Sequence, residues 1–274
     1  MIEFPVYVVS SVKELPKEGI YYIVGKDGLY LKKDTGLIEA LVKVKQISLL
    51  KEVTPFATLK VPKIPVLLMA QVVCFFRAVY RRYKAEAIVL LYYSAEKNDL
   101  MVEAVKQVVA GAGLQYKIKS NLSKGYKLMG TIHSHANFEA FHSDVDRHDE
   151  ANFDGLHITV GNVNKRDFTL SSTIVVNDNR FKIKSQTVIE GIEEKKIPRS
   201  PFSFQEQTEV CYLVVPGQGD YQKTIFPEKW LDKVKDQTEV RMKKHMKKLR
   251  QGMENKNILP TLEKQNTKTA EDNI

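Results

Sequence analysis

From residue 65 to residue 94 the chain is apolar almost throughout, with a single charged break between two long hydrophobic runs. The first run, VLLMAQVVCFFRAVYRRY, is too dense in apolar residues for a surface strand. It ends in Arg77, Arg81 and Arg82, which suit a helix C-terminus. The second run, EAIVLLYYS at 86–94, is typical of a buried strand. The longest apolar segment falls well short of the roughly 20 residues that a membrane span needs. We therefore expect a buried helix and strand, and no membrane segment.

Length and cysteine content narrow the class of protein further. The 274 residues allow one or two domains and a core that needs no covalent staples. Cys74 and Cys211 both lie in apolar runs, which favours buried thiols in a reducing compartment over a disulfide framework. No basic segment precedes the first apolar stretch, so we expect no secretory signal and a cytoplasmic location.

Composition shifts along the chain predict four regions. Residues 1–60 are β-rich, with Gly25-Lys26-Asp27-Gly28 as a hairpin turn, and prolines at 55, 62 and 65 mark a boundary. Residues 61–190 form the main domain. Residues 191–254 form a C-terminal extension with one strand and a basic helix, and the polar residues 255–274 predict a disordered tail.

Hydrophobic patterning places the elements within these regions. The predicted strands cover residues 21–24, 29–33, 86–94, 126–134, 156–161, 168–176, 180–185 and 208–215. The predicted helices cover residues 65–83, 146–153 and 227–251. Residues 101–112 fit either a strand or a short helix.

The net charge of +9 is unevenly placed. Residues 228–250 contain nine Lys or Arg residues against four acidic ones. Such a segment can bind nucleic acid or an acidic partner, or it can be a solvated helix face. The solvated face is favoured, because no aromatic residue for base stacking follows Trp230 within the basic cluster.

Two histidines close the apolar strand at 126–134. His133 and His135 are two residues apart, so on a strand their side chains point to the same side and can reach one metal ion. Asp146 follows eleven residues later at the start of a predicted helix. Two histidines and a carboxylate are a common protein ligand set of a catalytic zinc ion. The alternatives are chance histidines at a polar strand end and an aspartate that only caps a helix.

Hydrolysis at such an ion needs a general base and an oxyanion donor. Glu86 opens a very apolar strand, where a carboxylate has no packing role, so it is the candidate base; otherwise it is an ordinary solvent-facing residue. Ser143 lies three residues before Asp146 and is the candidate oxyanion donor; otherwise it is a turn or capping serine.

Together these residues resemble the JAMM (MPN+) metalloprotease family. The family pattern is a distant upstream Glu, then H-S/T-H, seven residues, Ser, two residues and Asp. Glu86, His133-Ser134-His135, Ser143 and Asp146 fill every required position. The resemblance covers roughly residues 60–190 and does not explain the first 60 residues. The chain also looks like the JAMM member among the bacterial PRTRC plasmid proteins, which has an N-terminal extension. Ala136 stands where many members have proline, and Tyr92-Tyr93-Ser94 where many have glycine.

The resemblance implies a cytidine-deaminase-like α/β fold, a mixed sheet with flanking helices. It implies one zinc ion per chain bound by His133, His135 and Asp146, with Glu86 as general base, Ser143 as oxyanion stabiliser and Ser134 as a supporting residue.

It further implies a zinc metallopeptidase that cleaves the bond after the C-terminal glycine of a ubiquitin-like protein, beside E1-like and E2-like partner proteins. The alternatives are a catalytically silent scaffold of the same fold, and a nucleic-acid-associated protein that uses the basic C-terminal helix.

Overall fold

The structure is a computed structural model that describes residues 4–8, 15–48, 50–111, 113–118, 125–151, 153–194, 209–216 and 220–257. The chain divides into two compact units, Met1–Pro55 and Phe56–Ile274. The general α/β class predicted from the sequence is confirmed.

The smaller unit contains a four-stranded sheet within its described residues, in the order β1-β2-β3-β4. The strands are β1 Val6–Val8, β2 Ile20–Gly25, β3 Gly28–Asp34 and β4 Glu39–Val44. The strands β2 and β3 pair antiparallel around the predicted turn, and Gly28, which follows its two central residues, has a positive φ. The strands predicted at 21–24 and 29–33 are confirmed.

The larger unit carries the remaining strands. They are β5 Ile88–Ser94, β6 Asp99–Ala104, β7 Gln107–Ala110, β8 Gly113–Tyr116, β9 Lys127–Ser134, β10 Gly155–Gly161, β11 Phe168–Val176, β12 Asn179–Ile183, β13 Ile192–Glu194, β14 Glu209–Leu213 and β15 Val234–Asp236. The α-helices are α1 Val66–Tyr83, α2 Asp144–Glu150 and α3 Gln237–Asn257. Among the residues that the structure describes here, 3-10 helices cover Ser185–Thr187, Tyr221–Lys223 and Glu228–Lys233.

A mixed sheet organises this unit. Among the described residues it has eight strands, in the order β13-β14-β11-β10-β9-β5-β6, with β12 paired to the second half of β11. The strands β9 and β10 are parallel, and their other neighbours are antiparallel. A separate three-stranded sheet has the order β15-β7-β8.

Apolar and polar residues alternate along β10 and over residues 131–133 of β9. Ile132 and Ile158 belong to the core cluster that also contains Phe75 and Phe76 of α1. The intervening residues on both strands are polar and buried: Thr131, His133, His157 and Thr159. Because neighbouring strand residues point to opposite faces, one face of the sheet binds α1 and the other carries polar groups.

Most predicted elements are confirmed with small shifts in their ends. The undecided segment 101–112 belongs to β6, which starts at Asp99, and to β7, and it contains no helix in its described residues. Arg81 and Arg82 lie in the last turn of α1, whereas Arg77 is buried and donates to the carbonyl oxygen of Val163. Both cysteines are buried, and neither forms a disulfide.

The prediction of one helix over 227–251 is wrong in its first third. Residues 228–233 form a 3-10 helix, β15 follows, and α3 begins only at Gln237. The reason is tertiary: β15 pairs in parallel with β7, and Trp230 packs against Phe75 with ring centroids 5.5 Å apart. Residues 255–257 of the predicted tail are helical, and residues 258–274 lie outside the described residues.

The C-terminal extension predicted from residue 191 begins with β13, which pairs with β14. Residues 195–208 lie outside the described part of the chain. Within that described part, no helix is both long enough and apolar enough to cross a membrane.

Candidate metal centre

The two histidines are fixed by the middle of the large sheet. His133 lies on β9 directly opposite Ile88 of β5 and Thr159 of β10. His135 follows the strand, and its backbone N–H donates to the carbonyl oxygen of Val160. Both side chains are buried, and their ring centroids are 5.1 Å apart. The strand geometry expected from the i, i+2 spacing therefore holds.

A capping box brings Asp146 to the histidines. The N-cap of α2 is Ser143, whose hydroxyl oxygen accepts from the backbone N–H of Asp146 at 3.2 Å. In return, the backbone N–H of Ser143 donates to Oδ2 of Asp146 at 2.8 Å. Ser143 is thus the capping residue, and Asp146 occupies the third helical position with its carboxylate directed back towards β9.

The three side chains meet closely enough to share one ion. Oδ1 of Asp146 lies 3.3 Å from Nε2 of His133, and Oδ2 lies 3.1 Å from Nε2 of His135. All three potential ligand atoms lie within 4.8 Å of one another. A tetrahedral zinc ion with bonds of about 2.0–2.1 Å has its ligand atoms roughly 3.3 Å apart. The group could therefore hold a metal ion.

The charges of the group support cation binding. Burial by itself raises the pKa of the Asp146 carboxyl, but hydrogen bonds from the two histidines and from Ser143 outweigh it and hold that pKa well below its usual range. Burial lowers the pKa of His133, but its hydrogen bond to Asp146 and the charge of that carboxylate outweigh burial and raise it. Protons and a cation therefore compete for the same imidazole.

Glu86 faces this group from the segment just before β5, which begins at Ile88 and not at residue 86 as predicted. Ser134, which lies between the two histidines, accepts a hydrogen bond from the backbone N–H of Ala87 at 3.0 Å and so ties the residue after Glu86 to β9. The Glu86 side chain is half-buried and lines a cavity that it shares with the two histidines and Asp146. Burial raises the pKa of its carboxyl, and the charges of His135 and His133 offset only part of that effect. A raised pKa suits a group that must take up and release a proton near neutral pH.

The cavity in front of the group has a volume of about 430 Å³. Its polar wall includes the five residues predicted from the sequence: Glu86, His133, His135, Ser143 and Asp146. Exposed Phe138, Phe141 and Val145 contribute apolar surface, and the Phe141 ring meets the His135 ring edge-on at 4.6 Å. Tyr92 and Tyr93, which replace glycines common in the family, do not line it.

The loop between His135 and Ser143 is held in place by contacts with Gly161 and Thr169. A side chain at Gly161 would meet the backbone nitrogen of Ala140 at 2.2 Å, so glycine lets the loop lie directly on the end of β10. The backbone N–H of Ala140 donates to the Thr169 hydroxyl at 2.7 Å. Ala136 begins the loop with φ 50°.

A second polar cluster beneath this loop was not predicted. Glu150 at the end of α2 contacts His142 and Arg180, and His157 contacts Thr131. The alternation in LHITVG was a usable signal, since it places His157 and Thr159 on the polar face beside His133. Nothing in the sequence indicated that Arg180 reaches Glu150.

A comparison with models of known protein families gives no match. A comparison with curated proteins gives no match either. The candidate centre is therefore described by its own geometry: two buried histidines, one aspartate and a nearby glutamate around one cavity.

Proposed function

We propose that the chain is a zinc-dependent peptidase or isopeptidase of the JAMM type. One observation carries this proposal: Glu86, which is far away in sequence, lines one cavity with His133, His135, Ser143 and Asp146, and three of these side chains could share a metal ion. The mixed sheet with its helices is compatible with the cytidine-deaminase-like fold that the resemblance implies.

The donor set fits zinc. Two imidazole nitrogens and one carboxylate oxygen leave a fourth tetrahedral position open, and no cysteine lies near the group that would indicate a structural site. A bound zinc ion would act as a Lewis acid and lower the pKa of a coordinated water towards neutrality.

Two side chains of the protein would transfer the proton and donate a hydrogen bond to the intermediate. Glu86 would take a proton from the attacking water and deliver it to the amine as the C–N bond breaks. The Ser143 hydroxyl, which donates to Oδ2 of Asp146 at 2.6 Å, would turn its single hydrogen towards the oxyanion of the tetrahedral intermediate.

The substrate we propose is the C-terminal tail of a ubiquitin-like protein, cut after its last glycine. The lining of the cavity favours an extended peptide as the substrate, because apolar and acidic side chains lie next to one another in it. E1-like and E2-like proteins are the proposed partners of such a cycle.

Glu86→Gln tests the proposal most directly. The wild type should bind about one zinc ion per chain and cleave a fusion joined through Gly-Gly to a ubiquitin-like protein. The variant should keep its zinc and lose turnover by at least ~100-fold, because general acid-base catalysis contributes that much. Glu96→Gln, which changes an exposed glutamate between β5 and β6, is the matched control and should cleave normally.

Two results would remove the proposal. A purified chain that binds no divalent metal has no centre of this kind. A chain that binds zinc and cuts no member of a broad panel of ubiquitin-like fusions is better explained as a silent scaffold.

A nucleic-acid role has one observation in its favour. Lys235 of β15 and Lys243, Lys244 and Lys247 of α3 line one surface depression, which also contains Glu239. If this surface binds phosphates, affinity for DNA or RNA should fall steeply with salt and should weaken when residues 237–274 are deleted.

A further inference from the structure

Glu150 is a buried carboxylate with two cationic or protonatable partners. Its side chain is only 5% exposed, Oε1 lies 3.0 Å from Nδ1 of His142, and Oε2 accepts from Nη2 of Arg180 at 2.5 Å. A buried carboxylate persists only when it is paired and hydrogen-bonded. Here both oxygens are used, and the hydrogen bond from His142 helps to hold the pKa of the Glu150 carboxyl below its usual value although burial raises it.

This cluster joins three separate parts of the larger unit. Glu150 is the last residue of α2, Arg180 lies on β12, and His142 ends the loop that leads from the metal centre to Ser143. Nε2 of His142 also lies 3.1 Å from the Thr173 hydroxyl of β11. The pairing therefore ties α2 and the loop to the polar face of the sheet.

The position of α2 depends on its contacts with the rest of the unit, because the helix is short. Its seven residues are too few to be stable by themselves in water, so its place is set by what holds its two ends. The first turn carries Ser143 and Asp146, and the last residue is Glu150. A shift at the Glu150 end therefore moves the Asp146 carboxylate relative to His133 and His135.

A second contact runs from the cluster towards the metal ligands. The Thr159 hydroxyl lies 3.5 Å from Nδ1 of His142 and 3.4 Å from Nε2 of His133. One threonine on β10 thus lies between the cluster and a ligand. Glu150 also lines the cavity in front of the metal group.

We propose that Glu150, His142 and Arg180 form a positioning cluster that holds α2 so that Asp146 meets His133 and His135 at a metal ion. The proposal rests on the metal-binding part of the proposed function and not on the peptidase activity. None of the three belongs to the five-residue motif pattern, so the cluster is a property of this chain's own packing.

The test is zinc affinity, measured with the full chain against a competing chelator of known affinity. Glu150→Gln keeps the size of the side chain and removes its charge. We expect it to weaken zinc binding by about 10–100-fold, as the loss of groups that support metal ligands does. Asp144→Asn, an exposed carboxylate on the same helix, is the matched control and should keep wild-type affinity.

Arg180 provides an independent variant, since its side chain is partly exposed at 23%. Arg180→Gln should weaken zinc binding in the same direction, and Arg180→Lys, which keeps a cation near Glu150, should restore most of it. If Glu150→Gln does not fold, this pair carries the test alone. The melting temperature of each metal-free variant separates a loss of folding from a loss of ligand position.

The outcomes separate this proposal from the peptidase. Weakened zinc binding in folded Glu150→Gln supports the positioning cluster even if the wild type cleaves nothing. Wild-type zinc affinity in folded Glu150→Gln and Arg180→Gln overturns it, whether or not the chain is a peptidase. A wild-type chain that binds no zinc overturns both.

Discussion

His157 has the most unusual surroundings of any single residue near the centre. Its ring is completely buried on β10, Nδ1 lies 2.9 Å from the Thr131 hydroxyl, and Nε2 finds no hydrogen-bond partner among the described residues. Burial lowers its pKa to about 4, although the nearby Glu150 raises it. A buried histidine that stays neutral makes stability depend on pH.

The first prediction concerns that dependence. Because the folded pKa lies below the unfolded value of 6.5, the unfolded chain takes up the proton first as the pH falls. His157 should therefore cost the fold up to roughly 3 kcal/mol between pH 6.5 and 4, with no effect above that window. Denaturant unfolding of the wild type and of His157→Asn across this range measures it. Identical slopes for both proteins would show that His157 does not carry the effect.

Ala136 has an unusual backbone conformation, and its effect on stability can be tested. A non-glycine residue at φ 50° lies in the left-handed region, which costs roughly 1–2 kcal/mol. Proline cannot adopt this angle, because its ring holds φ near −65°. A proline at position 136 would therefore require a different turn after His135.

We expect Ala136→Pro to destabilise the fold by more than about 1 kcal/mol. Ala136→Gly should be neutral or stabilising by up to about 1 kcal/mol, because glycine removes the strain but gives the unfolded chain more freedom. Free energies of unfolding of the two variants check this. A proline variant as stable as the wild type would mean that residue 136 does not take a left-handed conformation.

At the level of elements, the segment between Pro227 and α3 behaves as part of the core. Trp230 is 3% exposed and packs against Phe75 of α1, and β15 adds a strand to β7. In contrast, Met242 on α3 is 65% exposed.

This difference predicts very different costs for two truncations. Trp230→Ala should destabilise the chain by about 3–5 kcal/mol, as the loss of a large buried side chain does. Met242→Ala should stay within about 0.5 kcal/mol of the wild type. Chemical denaturation of both variants makes the comparison, and equal costs would favour one continuous helix over the segmented structure.

For the whole molecule, the proposed metal site would link ion binding to folding. All three proposed ligands lie in the unit Phe56–Ile274, so a zinc ion bound to them would stabilise the folded state of that unit by mass action. At free zinc about 100 times the dissociation constant, the gain is about 2.7 kcal/mol. The melting temperature should rise with zinc, fall with a chelator and recover on reloading. His133→Asn should lose this response, and a response that survives would place the zinc elsewhere.

The sequence alone was sufficient to predict most local elements and the spacing of the motif. Apolar density predicted α1 and β5, because a buried helix and strand need continuous hydrophobic surface. Spacing alone predicted that His133 and His135 share a side, because strand geometry repeats every two residues. The capping role of Ser143 was likewise one of two alternatives that local residue types allow.

Only the tertiary structure decided which distant residues meet. Glu150 pairs with Arg180 across thirty positions of sequence, and Trp230 joins the core through Phe75. Periodicity reports which face of an element is buried but not which partner buries it. The apolar spacing around Trp230 therefore predicted a helix, whereas the structure has a 3-10 helix followed by β15. Local patterns thus determined the elements and the ligand spacing, and packing selected the partners, because partner choice depends on contacts that no local window of sequence contains.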